Sequence, residues 1–212
     1  MPPATFDYEK LEWIDDVPRI TTSRMILRLS EEEDADDIVE FYERNHEHFK
    51  PWFPDMALSP TLEMVLRGAR EKRELAQADR GYRFHAFLRS LARNEVRPQV
   101  VGLCSMADVR RGAIQQGVIG YAIDREFEGQ GLMKEIVRAV IKFAFHDLDL
   151  HRIEGSYMPE NVKSAAILEA LGFVKEGFFK DYLYLNNRWQ DHIVTSLINP
   201  DWKGTGRVIQ TD

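Results

Sequence analysis

Cysteine is nearly absent: the 212 residues contain one, Cys104, inside the apolar run VVGLCSMADV. An intrachain disulfide is excluded, and a reducing cytoplasm is the expected compartment. No neighbour in the sequence would stabilise a thiolate, so Cys104 reads as a small buried strand residue rather than a nucleophile. The chain also lacks any run of about 18 apolar residues, so no membrane-spanning helix is expected. Its polar, proline-bearing start, MPPATFDYEKLEWIDD, is not expected to act as a leader. Basic residues are in the minority, 28 Lys and Arg against 35 Asp and Glu, giving a net charge of −7. That balance argues against holding nucleic acid through general phosphate contacts. Metal-ligand spacing is missing as well. His46 and His48 stand one residue apart with no cysteine near them, so a helix end is expected there and no metal.

No repeat, low-complexity block or Gly/Ser-rich linker divides the chain, and its length suits one well-buried core. ITTSRMILRLS alternates apolar and polar residues from 20 to 30, as a half-buried strand does. DADDIVEFYERN reads as a helix with Ile38, Val39, Phe41 and Tyr42 on its inner face. A second helix spans 61–77, capped by Thr61. After Gly81 the period shortens: YRFHAFLRS, VVGLCSMADV and GVIGYAID read as three strands. A helical stripe follows from Gly131 to Leu150, then a strand HRIEGSYM and a short helix SAAILEALG ended by Gly172. The chain closes with a hairpin turning at Asn186-Asn187. The expected fold is a single α/β (α+β) domain, a mixed, largely antiparallel sheet flanked by helices, over residues 20–202. An N-terminal arm (1–19) and a C-terminal tail (203–212) would flank it. The order is not that of a doubly wound dinucleotide fold.

Chemistry is suggested first by REFEGQGLMKE, 125–135, where two glycines precede a helix. Helix N-termini expose unpaired N–H groups, and without side chains at Gly129 and Gly131 the backbone can approach an anion. Lys134 stands where a dinucleotide fingerprint needs its third glycine, and the P-loop lysine and hydroxyl are missing too. A second cluster, MPENVKSAAILEALGFVKEGF, places Pro159, Asn161 and Ser164 where a strand passes into a short helix ending Leu-Gly-Phe.

Together the clusters resemble the GCN5-related N-acetyltransferase (GNAT) superfamily, from about Ile20 to Trp202. KPWFPDM, GQGLMKE, LHRIEGSYMPENVKS, RWQDH and the closing NPDW resemble most its members that acetylate the N-terminal alanine of a ribosomal protein. The resemblance implies acetyl-CoA as cosubstrate. Gly129, Gln130, Gly131, Leu132 and Met133 would cradle its pyrophosphate. The strand Tyr121, Ala122, Ile123 would pair with the pantetheine arm, and Asn161 would contact the cofactor near that end. Ser164 matches the position that relatives use to protonate the leaving thiolate. Tyr157 competes with it, because a phenol is more acidic than an ordinary hydroxyl. Trp52, Phe53, Asp181 and Tyr182 would form the substrate mouth. Two positions depart from the pattern. Glu126 stands where the signature prefers Arg or Gln, and Leu183 stands where serine-directed relatives carry a glutamate base.

The reaction implied is direct attack of a neutral amine on the thioester. About a tenth of α-amines are neutral at pH 7, against about one lysine in a few thousand, so an N-terminal acetyltransferase manages with a weak or water-relayed base. The resemblance implies a ribosomal protein N-terminus as partner; no nucleic acid and no membrane are expected, for a monomer or homodimer. Two rival readings are an acetyltransferase for a small-molecule amine and a non-catalytic acyl-CoA-binding module in translation.

Overall fold

The computed structural model describes residues 7–54, 57–89 and 99–204. Its first two strands, β1 (Lys10–Ile14) and β2 (Val17–Thr21), form an antiparallel hairpin. The segment expected to be an arm is therefore part of the sheet from Lys10 onward. Asp15 and Asp16 turn it with φ of 49° and 62°, a left-handed pair that short polar side chains tolerate. Burial of Val17 and of the fully enclosed Ile20 anchors it. The strand expected over 20–30 is broken at Thr22–Arg24 and resumes as β3 (Met25–Arg28), with Thr22 Oγ1 accepting from the Met25 amide at 3.0 Å.

Two helices follow, α1 (Ala35–Arg44) and the single turn α2 (His46–Phe49). The third, α3 (Leu62–Gln77), starts at Thr61, whose side chain accepts from the Met64 amide. Strands β4 (Tyr82–Leu88), β5 (Val100–Arg110) and β6 (Gln116–Ile123) run antiparallel to one another. Helix α4 (Leu132–Lys142) continues as a wider π-type turn over Phe143–Asp147. Then come β7 (Arg152–Tyr157), α5 (Val162–Ala170), β8 (Val174–Leu185) and β9 (Arg188–Ile198). The nine strands form one sheet in the order β1-β2-β3-β4-β5-β6-β7-β9-β8, and β6 with β7 is its parallel pair among the described residues. A right-handed crossover through α4 is the ordinary way to make such a pair.

On one face, Ile136, Val140 and Phe143 pack over Phe84, Cys104, Met106, Ile119 and Ile153. Gly117 is required at the parallel junction, since a Cβ there would stand 2.5 Å from Met106 Sδ. Burial pushes the Cys104 thiol far up, which keeps it an inert packing residue. On the other face, Phe41, Phe49, Phe87, Leu103 and Ala122 form a second, smaller core under α1 and α2. That cover stops short. Arg83, Ser105, Ala107, Val118, Gly120, Glu154 and Ser156, all on this second face, remain half-exposed.

His85 is a deeply buried titrating group of this fold, 5% exposed with Nδ1 unpartnered. Burial, helped by the positive charge of Arg83, lowers its pKa from 6.5 to about 3. The unfolded chain therefore takes up a proton near pH 6.5 that the folded chain refuses, and stability falls as pH drops from there. His85→Gln should remove up to about 1.4 kcal/mol per pH unit from the slope of unfolding free energy between pH 6.5 and 5. Urea unfolding of both proteins across that window checks this, and equal slopes would contradict it.

Candidate functional site

Strands β6 and β7 are partners only at Gln116–Arg152, Gly117–Ile153 and Val118–Glu154. Beyond Val118 both continue, β6 to Ile123 and β7 to Tyr157, but they no longer pair with each other. A gap opens in the sheet there. A cavity of about 200 Å³ occupies it, walled by Ile119, Gly120 and Tyr121 on one side and Ser156, Tyr157 and Met158 on the other. A larger cavity, about 620 Å³, adjoins it and shares Trp52, Phe53, Tyr121, Asn161 and Ser164 with it. On the second face of the sheet a groove of about 660 Å³ runs over Ser105, Ala107, Val118 and Glu154, bounded by α3 and Tyr182.

The glycine turn borders the larger cavity, whose wall includes Arg125, Glu128 and Met133. Gly129 and Gly131 have φ of 72° and 73°, and Gly131 caps α4 without a side chain. A Cβ at Gly129 would meet nothing within 4 Å, so the need for glycine is conformational rather than steric. The first amides of α4 are left facing outward, with the positive end of the helix dipole behind them.

Buried polar groups fix this turn. Asp124, 1% exposed, pairs with Arg44 at the end of α1 and accepts from the Glu126 amide at 3.0 Å. Asn45 Oδ1 accepts from the Arg125 amide at 2.9 Å, and Arg44 also donates to the Val100 carbonyl. Arg24 Nη1 donates to the Gln130 carbonyl at 3.0 Å, which sets a guanidinium beside the glycines. Arg24 is held in turn by Glu135, which also accepts from Thr22 Oγ1 and Ser23 Oγ. Burial pushes the Glu135 carboxyl up, but the donors from Thr22, Arg24 and Ser23 outweigh it and leave the pKa below the usual range. Neither Arg24 nor Glu135 stood out in the sequence, because their partners are more than a hundred residues apart. The departure at Glu126 has a simple reason: its side chain is exposed, and the position serves through its backbone.

Within the gap, the Tyr121 hydroxyl lies 2.9 Å from Ser164 Oγ and 3.2 Å from the Ser164 carbonyl oxygen. Burial pushes the Tyr121 phenol well above its ordinary pKa, so it keeps its proton. Tyr121 thus enters the site by its side chain as well as by its strand. Asn161 caps α5, its Oδ1 accepting from the Ser164 amide at 3.0 Å, and its Nδ2 remains for another partner. Tyr157 is buried and lines the gap. Leu132, Met133 and Ala122 are buried, and Ile123 is half-buried beside the larger cavity. Gln130 is exposed and donates to the Glu126 carbonyl.

Trp52 and Phe53 wall both cavities, held where the β8–β9 turn docks through Asn186 Nδ2 onto the Lys50 carbonyl at 2.7 Å. Asp55 and Met56, which end the KPWFPDM segment, lie outside the described residues. The other half of the mouth divides. Tyr182 borders the groove over Ser105, whereas Asp181 is exposed on a bulge of β8 and lines none of these three cavities. His192 also walls the gap and was not singled out from sequence. It is 4% exposed, and its Nδ1 lies 3.1 Å from the Gln190 carbonyl. A carbonyl only accepts, so a neutral His192 carries its proton on Nδ1 and leaves Nε2 as an acceptor. Among the described residues no group of three His, Cys, Asp or Glu side chains is placed to hold a metal ion, and no helix is long and apolar enough to cross a membrane.

Residues 24–174 match the family described as Acetyltransferase (GNAT) domain. The [Ribosomal protein uS5]-alanine N-acetyltransferase of Escherichia coli K12 is 32% identical over 187 residues, 87% of this chain and 92% of that one. A crystal structure of the ribosomal-protein-S5-alanine acetyltransferase of Vibrio fischeri superposes with a TM-score of 0.78. It is 34% identical and covers 87% of this chain and 98% of its own. Mycobacterium smegmatis RimJ, in complex with CoA-disulfide, superposes at 0.75 with 25% identity, covering 93% and 90% of the two chains.

The turn's rigidity generates a prediction. Asp124→Asn leaves the partly buried Arg44 charge with only the exposed Glu40 carboxylate, 3.9 Å away, and should cost about 3 kcal/mol in denaturant unfolding. A loss below about 1 kcal/mol would mean that the pair does not hold the turn.

Proposed function

The chain belongs to the GNAT acetyltransferase family, and from that premise we propose that it acetylates the N-terminal α-amine of a ribosomal protein beginning with alanine. The observation that carries the reading is the gap between β6 and β7, with Tyr121 and Ser164 hydrogen-bonded inside it and a glycine-bearing amide cradle at its edge. The alanine-directed enzymes of Escherichia coli and Vibrio fischeri support the choice of substrate. The Mycobacterium smegmatis protein, holding CoA-disulfide, supports the choice of cosubstrate.

The residues present suit acetyl-CoA. The amides from Gly129 to Met133 would take its pyrophosphate, with Arg24 adding positive charge beside the turn. The edge of β6 over Tyr121, Ala122 and Ile123 has lost its β7 partner and offers backbone donors and acceptors to an amide-bearing arm. Asn161 Nδ2 adds a donor there. When bound, the cosubstrate supplies a thioester carbonyl and a leaving thiolate. Ser164 Oγ would donate toward that sulfur while drawing a proton from the hydrogen-bonded Tyr121 hydroxyl, which regains one from solvent as coenzyme A leaves. Tyr157 lines the same gap as an alternative donor. His192 walls the same gap, and its Nε2 would accept the proton that the nitrogen loses as the new C–N bond forms. A ribosomal substrate would place the enzyme in the cytoplasm.

The test follows free thiol release with acetyl-CoA and a peptide beginning with alanine. Turnover is expected, with Ser164→Ala lowering kcat at least about tenfold while acetyl-CoA affinity barely moves. His192→Gln should lower kcat near pH 7 and recover as pH passes about 8, where the α-amine is neutral without a base. Coenzyme A binding with no thiol release would show a non-catalytic module, and turnover on small amines alone would show the other rival.

A further inference from the structure

The uncovered part of the sheet's second face has a polarity that acetyl transfer to an alanine does not need. Its groove begins at the gap with Glu154 and ends under Lys72, Arg80, Arg83 and Arg110, which share that end with one carboxylate, Asp108. Several arginines elsewhere are matched: Arg24, Arg28, Arg44, Arg89, Arg111 and Arg152 each meet an acidic partner. Among the described residues, none of the four groove cations has a carboxylate within ion-pair reach. In a chain of net charge −7 this is not a general surplus of base. Arg83 is the innermost of them, half-buried, with Nη2 donating to the Tyr42 hydroxyl at 2.6 Å. That bond fixes the guanidinium and leaves its other donors for a ligand.

Register places Arg83 relative to the reaction. Arg83 pairs with Ser105, and Ser105 with Gly120 at the gap, so the three lie in one row across β4, β5 and β6. Two strand spacings amount to about 10 Å, which an extended peptide covers in about three residues. We propose that this groove is a specificity subsite for an acidic side chain at the third or fourth residue of the substrate, held by Arg83 with Lys72 and Arg110 around it. The amine lies at the gap beside Glu154, and the chain runs over Ser105 toward α3. The proposal rests on reading the acceptor as a peptide N-terminus.

The experiment compares peptides Ala-Gly-Glu-Gly and Ala-Gly-Gly-Glu, extended by neutral residues, with versions carrying Gln or Lys in place of Glu. For at least one position kcat/KM should favour Glu over Gln by about tenfold, with Lys poorer still and the preference shrinking as salt rises. Arg83→Gln should bring the ratio near one, and Arg83→Glu should turn it toward Lys. Because Arg83 also braces Tyr42, the double variant Lys72→Gln/Arg110→Gln provides a second readout and should lower the ratio about two- to threefold. Equal rates for Glu, Gln and Lys peptides, or ratios that none of these variants changes, would overturn the subsite while leaving N-terminal acetylation intact. Failure to acetylate any peptide would overturn the reading beneath it, and the subsite with it.

Discussion

Parallel pairing of β6 with β7 ends after three residues, and the site is built around that ending. A strand that loses its neighbour exposes backbone donors and acceptors, which must find partners elsewhere. Here the freed edge is Ile119 to Ile123, and across from it stand Tyr157 and the N-terminus of α5. Beside the gap, the larger cavity reaches from α2 to the starts of α4 and α5, and the groove lies beyond Val118 and Glu154 toward α3. A cosubstrate and an acceptor can reach one point from these two sides without competing for the same surface. Tyr121 and Ser164 sit at that point.

A gap of this kind is useful only if its rim is rigid. Two long-range clamps supply that rigidity. Arg44 and Asn45 at the end of α1 hold the backbone of residues 124–126 through one buried ion pair and amide contacts. Glu135 gathers the hydroxyls of Thr22 and Ser23 and the side chain of Arg24, tying the β2–β3 turn to the first turn of α4. Between these clamps the two glycines hold left-handed conformations that keep the α4 amides open. Positions Gly129 and Gly131 thus carry the geometry of the turn, and distant residues carry its stiffness.

Local features were legible in the sequence, and relations between distant segments were not. Thr61 as a cap, Gly129 and Gly131 as the turn, and Asn186-Asn187 as the hairpin tip each follow from the chemistry of one or two residues, and each stands where expected. Cys104 is buried, as its apolar run implied. The hairpin from Lys10 to Thr21 was missed because its two aspartates resemble a polar arm until the burial of Ile20 is known. His192 was missed because nothing in RWQDH shows that its ring turns into a gap bounded by β6 and β7. Asp181 was expected at the mouth beside Tyr182; it is exposed on the bulge in β8 and lines none of the three cavities. The uncovered groove depends on where α3 stops across the sheet, which no periodicity reports.

The claim that unites these elements is spatial: the cosubstrate lies in the larger cavity, between α2 and the starts of α4 and α5, with its sulfur in the gap. A crystal structure with coenzyme A bound tests it most directly. The account predicts the pyrophosphate on the amides of Gly129 to Met133, and the sulfur within about 3.5 Å of Ser164 Oγ. A sulfur lying in the groove over Ser105 and Val118, or a pyrophosphate away from the glycine turn, would contradict it.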